Sequence, residues 1–356
     1  MAGGAGDDRF GVAIIGYGYA GRCFHSYLVR RCAALRLVGI ASQRQAARAE
    51  IAATLGVRAY GGLAEALDDP AVQLVVVATP NDLHAPQAIA ALEAGKHVVV
   101  EKPMALDVAS ADAMLAASRH SGRLLTVFHN RRWDGDYLTI QRLIAEGWLG
   151  KPFYFELFWG RATPVRGWRA LAAHGGGRLW DLGVHMIDQA LQLVAAPLRQ
   201  VHCRARADLL DTEVDDHALC LLSFADRTEV HITASSLAHR PKPRWYIMGT
   251  AGTLVKEGLD PQEQAMVSGD IDAAREPPEH YARLTVAAAG QPAEFAVPTV
   301  AGRWRSFYEN VAAALRGEAP VAVTPESARL PVVVLAAARR SATEGRPVDI
   351  EEATPA

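Results

Sequence analysis

The chain of 356 residues has little cysteine, few aromatic residues, almost no net charge and no long apolar run. Its four cysteines, Cys23, Cys32, Cys203 and Cys220, form no C-x-x-C pair. That spacing excludes a cysteine metal ribbon or dithiol redox motif, and the four read as small apolar residues of a reducing compartment. A net charge of −2 supplies no basic field for nucleic acid or an anionic membrane surface. No stretch approaches the roughly 20 apolar residues of a membrane span. The opening "MAGGAGDDRF" is acidic and lacks the apolar core of an export signal. The pair Arg30-Arg31 lies in a helical pattern with no such core after it. A cytoplasmic protein with neither a nucleic-acid nor a membrane partner is expected.

What is present fits a folded α/β protein. Half of the residues are hydrophobic and 21% are charged, and the length favours two domains. The expected boundary puts a first domain at 8–129 and a second at 130–350, the closing helices being free to pack back on the first. Up to Phe128 the texture alternates short apolar strands with Ala-rich helices. The strands are expected at 10–15, 35–41, 73–79, 97–100 and 123–128, with helices such as 45–56 and 85–96. Nearly continuous apolar strands alternating with helices imply a parallel sheet covered on both faces. Beyond Phe128 a helix is expected near 136–146, a strand at 153–159 and a helix at 181–194. Strands at 198–206, 217–224, 228–236 and 244–248 with tight connections then indicate an open, mostly antiparallel sheet. The segment 260–300 reads as loops with at most one edge strand, and two helices, near 303–316 and 325–343, close the chain.

Three motifs carry chemistry. The first strand runs into "GYGYAG", which gives Gly16, Gly18 and Gly21 the G-x-G-x-x-G spacing between a strand and a helix. There the first glycine allows the turn, the second the approach of a pyrophosphate and the third helix–strand packing. A dinucleotide-binding Rossmann domain is expected. After the second strand stands "ASQR" at 41–44, and the first acid beyond it is Glu50. NAD sites usually place a carboxylate there, whereas Ser42 and the Arg44 guanidinium would favour a 2′-phosphate. NADP is therefore expected over NAD, against the alternative that Arg44 is merely solvated.

The second motif, "VVVEKPMAL" at 98–106, sends a Glu-Lys pair and a proline off the end of an apolar strand. Pro103 alone would make a plain turn. "ATPNDLH" at 78–84 also leaves a strand end, and ligands of open α/β sheets bind outside such ends. Lys102 is therefore read as aimed at a ligand. The third motif lies in "GGGRLWDLGVHMIDQALQLV" at 175–194, where Asp181 and His185 are four apart on one helical face and Asp188 lies three further on. The helix alone allows either a catalytic pair or a helix-start carboxylate beside a core histidine. No further ligand set accompanies the pair, so no metal is expected.

Taken in order, Gly16-x-Gly18-x-x-Gly21, Glu101-Lys102-Pro103 and Asp181-x-x-x-His185 resemble the Gfo/Idh/MocA oxidoreductase family over about 10–345. "TVFHNRRWDGDYLTIQRLIAEGWLG" (126–150), "WDLGVHMIDQALQLV" (180–194) and "KEGLDPQE" (256–263) resemble its branch of NADP-dependent scyllo-inositol dehydrogenases. The resemblance implies that Lys102 hydrogen-bonds the reacting oxygen, that its bond to Pro103 can be cis, that His185 is the acid/base and that Asp181 holds the sugar ring. It further implies contacts of Asn81 and Glu101 with the nicotinamide ribose, and a homodimer or homotetramer built on the second domain's sheet.

The expected reaction is hydride transfer between NADP and a secondary alcohol of a small polyol or sugar. His185 would take the hydroxyl proton and Lys102 would stabilise charge on that oxygen. Asn130, Arg131, Arg161, Trp168 and Asp188 are the expected substrate-lining residues, Arg131-Arg132 serving equally well as an ion-pair element. His84 and His129 read as structural. Two alternatives stand beside this one: an NADP-dependent aldose or keto-sugar oxidoreductase, and a non-catalytic NADPH-sensing regulator.

Overall fold

Valine, isoleucine and leucine crowd the short strands of the first third of the chain, and the computed structural model shows six of them as one parallel sheet. The structure describes residues 8–288 and 290–350. Six strands, β1 (Phe10–Ile15), β2 (Leu35–Ala41), β3 (Arg58–Tyr60), β4 (Leu74–Val77), β5 (His97–Val100) and β6 (Leu125–Val127), lie in the order β3-β2-β1-β4-β5-β6. Five of the six were expected. The three-residue β3 is an edge strand too short to give a pattern of its own.

The helices are α1 (Ser26–Arg31), α2 (Gln45–Leu55), α3 (Leu63–Asp68), α4 (His84–Glu93), α5 (Val108–Ser121), α6 (Gly135–Ala145), α7 (Val184–Leu193), α8 (Gln262–Val267), α9 (Arg305–Leu315) and α10 (Pro325–Glu344). Gly56 and Gly95, both with positive φ, close α2 and α4.

The chain divides into two units. The first comprises the described residues up to Ala105, Ala109–Phe128 and Trp304–Ala328. Its buried core joins Val12, Ile14, Val76, Val99 and Val127 of the sheet to Leu28, Leu92 and Met114 of the helices. The returning segment adds Phe307 and Tyr308, both buried. Phe307 meets Phe128 edge-on at 4.8 Å, and Thr126 donates to the Val323 carbonyl at 2.7 Å. Parallel strands covered on both faces with this order form a Rossmann sheet, in which β1 is the point where the chain reverses direction across the sheet.

The second unit comprises Leu106–Val108, His129–Arg303 and the described residues from Arg329 onward. Nine strands form its sheet: β7 (Pro152–Gly160), β8 (Leu198–Arg206), β9 (His217–Phe224), β10 (Glu229–Ser235), β11 (Trp245–Gly249), β12 (Gly252–Lys256), β13 (Ala282–Ala288), β14 (Gln291–Val297) and β15 (Val348–Asp349). Their order is β14-β13-β12-β11-β7-β10-β9-β8-β15, and the only parallel pair among the described strands of this second sheet is β7–β10. Alternation in β9 buries Ala218, Cys220, Leu222 and Phe224 against α7 and α10 while His217, Leu219, Leu221 and Ser223 face outward. The expectation of loops over 260–300 is corrected: it contains α8 and the hairpin β13–β14. Polar and small residues on that hairpin, "QPAEFAV" among them, weakened its strand pattern. No helix among the described residues is long and apolar enough to cross a membrane.

Candidate active site

In the first unit the carboxyl ends of four adjacent strands form one rim. In sheet order they carry Ser42 and Arg44 after β2, Gly16 to Gly21 after β1, Asn81 after β4, and Glu101 and Lys102 after β5. Gly16 has φ +110°, a left-handed conformation that a side chain would strain. A Cβ on Gly21 would lie 2.0 Å from the Gly16 carbonyl oxygen, so the helix starting at Ala20 packs directly on the turn. A Cβ on Gly18 would meet nothing within 4 Å. That open approach to bare backbone is the cradle a pyrophosphate needs, and the residues present fit a dinucleotide.

At the β2 end Ser42 is half-buried and Arg44 exposed. The Arg44 guanidinium is turned back to the Tyr17 carbonyl at 3.3 Å, and Tyr17 donates its hydroxyl to Glu50 at 3.1 Å. Burial, reinforced by Glu50, raises the Tyr17 pKa. Arg48, which sequence reasoning passed over, donates to the carbonyls of Ser42 and Gln43 at 2.8 and 3.0 Å. Its place one turn beyond Arg44 on α2 was the available signal.

The Lys102–Pro103 peptide is cis. The Lys102 backbone N–H donates to Glu101 Oε2 at 3.0 Å. Buried His84 contacts the carbonyls of Pro103 and Thr79 at 2.8 and 3.0 Å, so it joins the two loops that carry Lys102 and Asn81. Burial lowers the His84 pKa. Glu101 is buried and remains below the usual carboxylate range. Burial pushes it up, but the His25 hydrogen bond and the nearby Lys102 ammonium help to outweigh that.

In the second unit Asp181 lies in a π-helical turn, Leu179–Gly183, that leads into α7. Arg169 donates to Asp181 Oδ1 at 3.1 Å, and Arg178 lies 3.8 Å from Oδ2. Neither arginine was singled out from the sequence: nothing local marks Arg169, in a loop twelve residues away, and Arg178, three residues before Asp181, belongs to no motif of its own. Burial lowers the Arg178 pKa. His185, on α7, is buried and stacks on Trp159 of β7, with ring centroids 5.8 Å apart and planes at 29°. The same indole carries the Arg131 guanidinium at 4.3 Å and that of Arg244 at 5.3 Å. Burial brings the Arg244 pKa down to about 10.

The expected lining residues differ in placement. Arg161 is exposed, and Trp168 is half-buried beneath Arg169 at 4.3 Å. Asn130 is buried. Arg131 is buried and paired with Asp134 at 3.1 Å and Glu263 at 2.8 Å. Asp188 is buried, and its two oxygens take a bidentate pair from Arg132 at 2.9 and 2.6 Å, with His129 Nδ1 at 3.7 Å. This placement makes Asp188 an internal counter-ion, and His129 stands on the same carboxylate. The "KEGLDPQE" stretch acts as a clasp on residues 130–136. Asp260 accepts from Gly135 N at 2.6 Å, Gln262 donates to the Trp133 carbonyl at 3.2 Å, and Glu263 holds Arg131.

Among the described residues no group of three or more His, Cys, Asp or Glu side chains could hold a metal ion. Two family models match the chain: the oxidoreductase family, NAD-binding Rossmann fold, over residues 10–129, and the GFO/IDH/MocA C-terminal domain over residues 137–255. Among curated proteins, the uncharacterized oxidoreductase YdgJ of Escherichia coli (strain K12) is 36% identical over 87% of this chain and 90% of its own length. The scyllo-inositol 2-dehydrogenase (NADP(+)) IolW of Bacillus subtilis (strain 168) is 32% identical over 97% of both. The solved yvaA structure from Bacillus subtilis superposes with a TM-score of 0.90 at 31% identity, covering 97% of this chain and 99% of that one.

Proposed function

Given that the chain belongs to the Gfo/Idh/MocA oxidoreductase family, we propose that it is an NADP-dependent dehydrogenase of a cyclitol or sugar CH–OH group, with scyllo-inositol and its keto form as the first substrates to test. The observation that carries this reading is the continuous rim in the first unit. It runs from Ser42 and Arg44 past the open Gly18 backbone to Asn81, Glu101 and Lys102 on adjacent strands. A dinucleotide laid along it has its adenosine end at β2 and its nicotinamide end at β4 and β5.

The bound cofactor would supply the hydride acceptor. The chain's own residues supply charge and proton handling. The Lys102 ammonium stabilises negative charge developing on the substrate oxygen. His185 accepts the hydroxyl proton, an imidazole being available in both forms near neutrality. Asp181, oriented by Arg169, offers its remaining lone pairs to a neighbouring hydroxyl. Ser42 and Arg44, where an NAD site would carry a carboxylate, support NADP, and IolW, named for NADP, is similar over nearly the whole chain. Tyr154, His231 and Tyr246 on the outward face of the second sheet support self-association as a dimer or tetramer.

The test is a panel of scyllo- and myo-inositol, glucose, xylose and their keto forms, assayed in both directions with NADP and NAD and scored by kcat/KM. A cyclitol should lead with NADP. Preference for a pyranose would move the assignment to an aldose oxidoreductase, and equal or better use of NAD would overturn the cofactor assignment. Lys102→Ala and His185→Ala should each lower kcat by about 10²–10⁴, the range for lost electrostatic or acid/base help. Unchanged turnover in Lys102→Ala would remove it from the mechanism.

A further inference from the structure

Resting on that reading of Lys102, we propose that His25 is a positioning residue, pinned by Tyr308, that fixes Glu101 and through it the Lys102 turn. His25 closes the glycine-rich helix at the phosphate cradle and is fully buried, as is Tyr308 on α9. Its Nδ1 lies 2.6 Å from the Tyr308 hydroxyl and its Nε2 lies 3.0 Å from Glu101 Oε1. The other Glu101 oxygen takes the Lys102 N–H at 3.0 Å. Three buried side chains thus run from the core of the first unit to the backbone of Lys102.

Proton counting leaves one arrangement that uses every donor. Glu101, held below the usual carboxylate range, only accepts, so His25 Nε2 carries a hydrogen. Burial raises the Tyr308 pKa well above its ordinary value, so the phenol keeps its proton. It donates that proton to Nδ1, the acceptor of a neutral imidazole. An imidazolium would take away this acceptor and strand the phenol hydrogen in the core. The groups facing the pair from the packed elements are Glu101, Lys102 and His84 from the strand ends and Cys32 beside Tyr308. The Phe128 ring covers the imidazole at 4.6 Å. The neutral Nε2–H tautomer therefore sets where the Glu101 carboxylate sits. That carboxylate orients the peptide from which the Lys102 side chain departs.

The experiment uses the full chain labelled with ¹⁵N-histidine, with and without NADPH. The resonance missing in His25→Gln identifies His25. In the wild type its spectrum should show the neutral tautomer with the proton on Nε2. In Tyr308→Phe the ring loses the donor that fixes this tautomer, so a share of the Nδ1–H form should appear, and kcat should fall at least about tenfold with KM within about twofold. His25→Gln, which keeps a donor for Glu101, should retain kcat within about threefold. Wild-type His25 protonated on Nδ1 overturns the proposal, as does a Tyr308→Phe enzyme with unchanged tautomer and kcat. Should Tyr308→Phe not fold, the wild-type tautomer and the His25→Gln kcat still decide. Lys102→Ala separates the two claims: if it retains turnover, the role of Lys102 fails, while the tautomer measurement still judges His25.

Discussion

At Asp215 burial ties one carboxylate to the stability of the second unit. One of its oxygens accepts the Leu179 N–H at 2.8 Å, at the start of the π turn that holds Asp181, and the other packs over Gly177. Burial raises its pKa to about 6, against about 3.9 for an unfolded Asp. Between those values the folded chain binds more protons than the unfolded one, so this contribution to stability falls as pH rises, and the loss is complete above pH 6. The ceiling, two units at 1.36 kcal/mol each, is about 3 kcal/mol. Asp215→Asn keeps the acceptor and removes the charge, so melting curves should show a gain over wild type at pH 7.5 that shrinks toward pH 4. A gain independent of pH would contradict this role. The sequence was legible in another way at this scale. Gly16, Lys102 and His185 stand out because their motifs are local. Arg169 and Tyr308 do not, because each acts on a partner that only the fold brings near. Asp188 shows the reverse: its helical spacing was visible, while the Arg132 side chain that occupies it was not.

Elements were read best where burial imposes a period. Apart from β3, the parallel strands and β7 to β11 lie within a residue or two of their expected spans, since alternating or continuous apolar residues fix them. The hairpin β13–β14 escaped because its outward residues carry no such pattern. The two π-helical segments, Ala20–His25 and Leu179–Gly183, are likewise invisible to a 3.6-residue period, and each falls at a candidate site, as such segments often do. The glycine helix yields a separable test. Gly18→Ala meets no protein atom within 4 Å, so it should melt like wild type and lose NADPH affinity by about tenfold or more. Gly21→Ala meets a carbonyl oxygen at 2.0 Å, so it should lower the melting temperature in the absence of cofactor as well. Fluorescence titration with NADPH and thermal melts of the free proteins distinguish the two. Equal melting temperatures would show that the turn yields more readily than its geometry suggests.

At the scale of the molecule, the first unit is not one stretch of chain. Trp304–Ala328 belongs to it. Phe307 meets Phe128, Trp304 meets Phe24 at 5.8 Å, and Val323 accepts the Thr126 hydroxyl. The closing helices were anticipated from sequence, whereas these particular contacts, between residues far apart in the chain, depend on the fold alone. A chain ended after Arg303 keeps all six strands of the parallel sheet and every glycine of the cradle. It should nevertheless fail to bind NADPH, because burying a sheet face without Phe307 and Tyr308 leaves a large apolar surface in water. Calorimetric titration of that shortened chain checks this; wild-type affinity would mean that the returning segment is dispensable.

The same return has a consequence in time. Ribosomes add about 5–20 residues per second, so Phe128 is made roughly ten to forty seconds before the aromatic residues that complete its surroundings. For that interval the nascent nucleotide-binding half must stay soluble with an open seam. The first unit is thus complete only once Trp304–Ala328 has been made.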